Sequence, residues 1–243
     1  IDITAAIAMM HTVHWVICDK IDNCRDMVKG GQHKKYAETL TSLFLSALDD
    51  EQPDEKTLDS QYSELKGTIS KGSETIALDC KLARKGLYEA WQLLKSDIGP
   101  KYLPRCLEAL KEAVMAFKDK ISLQQKDAPD IDTYIENRRK TSGCRPYMAL
   151  KYYVACQEQG INLDEFQEFM DDHSDRIKEI EWKAGGIIGM CNDTFGIYKD
   201  EEEGSANGVY IFSEFQKNRD GMPMIDSKKL WAGLEKTKDW IRR

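Results

Sequence analysis

Apolar positions recur every three to four residues along nearly the whole chain, the spacing of one helical face rather than the alternation of a strand. From residue 3 to about 24, Ala6, Met9, Met10, Val13, Val16 and Ile17 fall on one side of a predicted helix. Gly30-Gly31 interrupts the pattern, and the spacing predicts the next helix over His33 to Leu48. After the polar stretch Asp49 to Glu55, helices are expected over about 55–71 and 73–95, the latter closing near Ile98-Gly99-Pro100. Another, about 101–122, carries Leu103, Leu107, Leu110, Val114 and Phe117. Pro129-Asp130 then opens a helix whose first carboxylate suits the positive end of the helix dipole. The periodicity resumes after Pro146, from Asn162, over 174–200 and over 226–242. Val209-Tyr210-Ile211-Phe212 is the most strand-like run, yet it continues the helical spacing from Ile197 and is predicted helical. The expectation is an all-α fold without strands, one domain over residues 1–243. Gly185 and Gly186 inside helix 174–200 cost about 1 kcal/mol each relative to alanine, which close packing, a bound substrate or chance would account for.

Composition narrows the function classes. The 243 residues are 41% hydrophobic and 32% charged, with no apolar run approaching the roughly 20 residues a bilayer span needs. A net charge of -7 and the lack of a basic stripe with interleaved aromatics argue against a nucleic-acid partner. Seven cysteines, an odd number with no Cys-x-x-Cys pair, read as reduced buried thiols, which points to a cytoplasmic protein. His11 and His14 have no third ligand nearby and read as packed or surface histidines. The chain opens directly in helix-like Ile1-Asp2-Ile3, so a sequence trimmed at its start is expected.

Three stretches carry candidate chemistry. Asn192, Gly196 and Asp200 line up on one face of a helix, with Lys199 beside them. An amide oxygen, a gap and a carboxylate next to an ammonium suit Mg²⁺, a hard cation that keeps positions for water and substrate phosphate. On spacing alone, Asn192 and Asp200 read equally as polar residues of an ordinary helix surface. Asp19, Asp22 and Asn23 share a face at the end of the first helix, one turn after Trp15, an aromatic that reads either as core or as pocket wall. Asp49, Asp50 and Asp54 form a rival acidic cluster, but Pro53 and the acidic start at Asp54-Glu55 mark it as a helix opening. The third stretch runs from Pro129 through Tyr134, Arg138 and Thr141 to Gly143, and an arginine fork there suits phosphate oxygens.

Taken in order, these stretches resemble class I terpene synthases, the microbial type with a single α domain. Asn192 to Asp200 is similar to that family's second metal motif, Asn-Asp-x-x-Ser-x-x-Lys-Glu, with Gly196 in the hydroxyl position and Asp200 replacing the glutamate. Asp19 to Asn23 is similar to its aspartate-rich first motif, with Lys20 in place of the second aspartate. Tyr134 to Gly143 matches its Pro-x-x-x-x-Tyr-x-x-x-Arg-x-x-Thr-x-Gly segment. The resemblance implies a helical bundle around an apolar pocket, with Mg²⁺ (three ions once diphosphate is bound, Mn²⁺ as a substitute) held by Asp19, Asp22, Asn23, Asn192, Gly196 and Asp200. It implies diphosphate binding by Arg138, Lys199 and Asn192, with Ser142 at a helix break facing the reacting carbon and Trp15 lining the pocket for cation–π stabilisation. The substrate implied is a linear prenyl diphosphate, farnesyl before geranylgeranyl, handled by a monomer or homodimer. Two alternatives stand beside cyclisation: a non-catalytic diphosphate-binding or interaction protein with decayed metal motifs, and a chain-elongating prenyl transferase.

Overall fold

The computed structural model describes residues 3–22, 27–49, 51–124, 129–203, 207–213, 216–217, 223–224 and 227–242. Helix α1 spans Ile3–Asp22, α2 His33–Leu45, α3 Glu55–Thr68, α4 Ser73–Asp97 and α5 Leu103–Gln124. These are followed by α6 (Ile131–Thr141), α7 (Cys144–Gln159), α8 (Leu163–Asp172), α9 (Ser174–Glu203), α10 (Gly208–Phe212) and α11 (Ser227–Ile241). Helix α1 lies along α4, α2 along α5, and α9 along α6. Their facing stripes bury one main core, in which Ile21, Tyr36, Leu43, Leu65, Trp91, Tyr102, Phe117 and Tyr153 are almost wholly withdrawn from water. Two smaller apolar clusters tie α6, α9, α10 and α11 together through Tyr134, Ile135, Met190, Ile197 and Tyr210.

Helix ends follow local chemistry. Asp54 accepts a hydrogen bond from the Thr57 amide at 2.7 Å, Asp130 from Thr133 at 2.9 Å and Asn162 from Asp164 at 2.9 Å, each side chain satisfying a donor left over in a first turn. Asp54 is therefore an N-cap, and the acidic cluster is further dispersed because Asp49 pairs with Lys111 at 3.1 Å. Asp50 lies outside the described residues. Arg84, buried on α4, closes the other end of α2: its Nε donates to Leu43 O and Ser46 Oγ at 3.1 Å each.

The all-α class holds, with two departures from what the helical spacing implies. Asn207-Gly208-Val209 does not continue α9, which ends at Glu203; Asn207 caps the separate helix α10 by accepting from Val209 N at 2.9 Å. A strand pair also exists where none was expected, β1 (Gln216–Lys217) antiparallel to β2 (Pro223–Met224), and two residues per strand are too few to leave an alternating pattern in the sequence. Val209 to Phe212 is helical, as its spacing predicts.

The α9 glycines have a packing reason. A Cβ built on Gly185 would lie 2.7 Å from the Arg139 carbonyl oxygen, and one on Gly186 would lie 2.6 Å from Trp240. Close approach of α6 and α11 thus offsets the lost helix propensity. Gly185→Ala is expected to lower stability by about 1–3 kcal/mol through overpacking, despite alanine's better propensity, as read by thermal melting.

Candidate active site

The candidate site forms where α6 and α9 meet. Asp193 projects from the buried side of α9 and is 1% exposed. Its Oδ1 lies 2.6 Å from Arg138 Nη2, while its Oδ2 accepts from the Tyr134 hydroxyl at 2.7 Å and from the Gly208 amide at 2.9 Å. Tyr134 and Arg138 stand four residues apart on one face of α6, so a single helical turn delivers both to the carboxylate. Burial first, then the charge of Asp193, pushes the Tyr134 hydroxyl well above its ordinary pKa, so it stays protonated and donating. The Arg138 fork also donates to Asn192 Oδ1 at 3.1 Å and to the Gly189 carbonyl at 3.2 Å.

The neighbouring face of α9 presents Asn192, Gly196 and Asp200. Asp200 Oδ2 accepts from Asn207 Nδ2 at 2.6 Å, and the same amide donates to the Asp193 carbonyl at 2.8 Å. A side chain at Gly196 would begin 3.2 Å from Asp200 Oδ2, so the absence of one leaves that carboxylate room to lie across the turn. The donors on this face are amide and carboxylate oxygens, a set that fits a hard divalent cation such as Mg²⁺. Among the described residues no three His, Cys, Asp or Glu side chains gather as a ready metal cage. The side chains of Asp19 and Asp22, and all of Asn23, lie outside those described.

Beside this junction an apolar cavity of about 200 Å³ is walled by α1, α5, α7 and α9, with Val114, Phe117, Leu150 and Ile188 among its lining. Ser142 and Gly143, at the break between α6 and α7, form its polar edge. Gly143 takes φ +69°, a left-handed conformation that turns the chain from one helix into the next. The Ser142 hydroxyl donates to the Arg139 carbonyl at 3.0 Å, which holds that break closed.

Trp15 and Lys199 face a cleft that adjoins the apolar cavity. Trp15 is 56% exposed, donates its indole N–H to His11 Nε2 at 3.2 Å, and lines an adjoining cleft shared with Lys20 and Lys199 rather than the apolar cavity. Lys20, in the second position of the acidic stretch on α1, is paired with Asp79 of α4 at 2.8 Å. On α1 the cavity is lined by His11 and His14 among apolar neighbours; His14 is half-buried, with its ring centroid 5.5 Å from that of Phe117.

A family model described as terpene synthase family 2, C-terminal metal binding, matches residues 43–219. The chain belongs to that family. The matched segment contains the α6 and α9 residues of the junction and leaves Asp19, Asp22 and Asn23 outside it. Similar curated proteins include Sesquiterpene synthase 1 of Postia placenta, 30% identical over 92 residues, which are 38% of this chain and 25% of that protein. Alpha-muurolene synthase of Coprinopsis cinerea is 27% identical over 136 residues, 54% of this chain and 28% of the relative. The chain thus spans about a quarter of the length of these relatives. No solved structure matches.

Asp193 is the residue at the centre of this junction that the spacing did not single out. Its signal was present: it lies three residues after Met190 and four before Ile197, both buried, so a carboxylate sits on an apolar stripe. A charge in that position requires a buried partner.

Proposed function

We propose that this terpene synthase family protein binds a linear prenyl diphosphate, promotes departure of the diphosphate, and lets the resulting allylic cation cyclise in the apolar cavity. The observation that carries this reading is the junction of Arg138 with Asp193 and Asn192, one turn before the Ser142–Gly143 break that edges the cavity. Arg138 grips the diphosphate through its fork, with Lys199 as a second cation. Asn192 and Asp200, with Asp19 on α1, would hold Mg²⁺, which when bound supplies positive charge to the leaving diphosphate. Asp193 keeps Arg138 oriented, and the apolar walls exclude water from the cation. Farnesyl diphosphate is favoured over geranylgeranyl diphosphate because similar proteins are named sesquiterpene and alpha-muurolene synthases.

A diphosphate-binding scaffold without turnover is the second reading, favoured by the pairing of Lys20 with Asp79 where the resemblance expects a ligand carboxylate. Incubation of the full-length protein with geranyl, farnesyl and geranylgeranyl diphosphates, with and without Mg²⁺, separates the two. A Mg²⁺-dependent cyclic hydrocarbon from the fifteen-carbon substrate is expected by gas chromatography–mass spectrometry. Diphosphate binding without release would favour the scaffold, and elongated products on adding isopentenyl diphosphate would favour a transferase.

A further inference from the structure

The cavity contains a base that neither metal nor diphosphate chemistry uses. His14 projects from α1 against the α6–α7 break: a Cβ built on Gly143 would lie 3.1 Å from both Cε1 and Nε2 of its ring. The imidazole hydrogen-bonds the Thr141 backbone, and its Nε2 lies 3.5 Å from Cys18 Sγ. Two other polar side chains on this cavity wall are engaged, Ser142 donating to Arg139 O and His11 Nε2 accepting from Trp15, while the phenol of Tyr147 and the thiol of Cys144 complete its polar lining.

We propose that His14 is the catalytic base that removes the proton ending the carbocation sequence, so that its identity sets which olefin leaves the cavity. This inference rests on the cyclase reading above. A hydrocarbon can form from a cation only by losing a proton. The C–H bond beside the cationic carbon breaks, its electron pair becomes the new C=C bond, and the proton joins an imidazole lone pair. The imidazolium then returns that proton to the released diphosphate or to water. Because one ring nitrogen donates to the Thr141 carbonyl, the other carries the lone pair in the neutral ring. Burial, then the charges of Lys120 and His11, lowers the His14 pKa to about 4, with Arg138 acting in the same direction and the Thr141 hydrogen bond opposing. The ring is therefore uncharged when a cation forms beside it, and its conjugate acid gives up the proton readily at neutral pH.

The test uses full-length wild type, His14→Gln and His14→Phe with farnesyl diphosphate and Mg²⁺, measuring diphosphate release and products separately. Glutamine keeps a donor for the Thr141 carbonyl but has no basic nitrogen, and melting curves establish that each variant is folded. Both variants are expected to yield about tenfold less wild-type olefin per diphosphate released, with alcohols or isomeric olefins in its place. An unchanged product profile in His14→Gln would overturn the inference, even if His14→Phe altered it, because the ring would then act only by filling space against Gly143. Should wild type release no diphosphate, the cyclase reading fails and this inference with it, whereas turnover with an unchanged profile sinks the inference alone.

Discussion

Replacing Asp193 with alanine is expected to destabilise the protein by about 3–5 kcal/mol, because removing one partner of a buried pair leaves the other charge uncompensated. Three donors each lose an acceptor at once: the Arg138 guanidinium, the Tyr134 hydroxyl and the Gly208 amide. The last of these fixes the start of α10, so the loss extends beyond α6. For a chain of this size the effect corresponds to a fall in Tm of roughly 10 °C, measurable by calorimetry. Asp193→Asn tests the charge separately from the shape. An amide can still accept one hydrogen bond but cannot match Arg138, so an intermediate fall is expected. A Tm within a degree or two of wild type for Asp193→Ala would mean that the α6–α9 junction is held by packing alone.

How much of this was legible in the sequence depended on which side of a helix carried the signal. The helices were readable because each buries a stripe, and the capping residues Asp54, Asp130 and Asn162 stand where their side chains meet first-turn amides. The separation of α10 from α9 was not, since helical spacing continues from Ile197 into Val209 while a new helix starts at the Asn207 cap. Trp15 and His14 show the limit of one-dimensional phase. Trp15 is one turn from Asp19, but the buried ridge of α1 runs through Met10, Val13, Ile17 and Ile21, and Trp15 stands two residues off it. His14 flanks the same ridge and reaches the cavity. Lys20 likewise read as a missing carboxylate, although its partner Asp79 lies 59 residues later on α4 and no local pattern announces the pair. Tertiary pairing of that kind is decided by how helices cross, which spacing along one helix does not encode.

Arg138 is expected to be the residue whose replacement most reduces diphosphate release, and two substitutions distinguish what it does. As a strut, it neutralises Asp193 and bonds Asn192 and Gly189. As the proposed grip on substrate, it must turn its fork toward phosphate oxygens. Arg138→Ala confounds the roles, since it leaves Asp193 buried without its cation and should cost about 3–5 kcal/mol whatever the substrate does. Arg138→Lys retains a positive charge for Asp193 but loses the planar fork, so stability should fall far less. Its diphosphate release with farnesyl diphosphate and Mg²⁺ is nevertheless expected to drop about 10²- to 10³-fold, the scale of removing one oriented donor from developing negative charge. The loss should appear mainly in kcat, because charge accumulates on the diphosphate as the carbon–oxygen bond breaks and a displaced ammonium meets it less well. Wild-type release by a folded Arg138→Lys would assign Arg138 to the strut alone. The grip on the leaving group would then have to come from the exposed face of α9, where Lys199 offers the nearest cation in the sequence to Asp200.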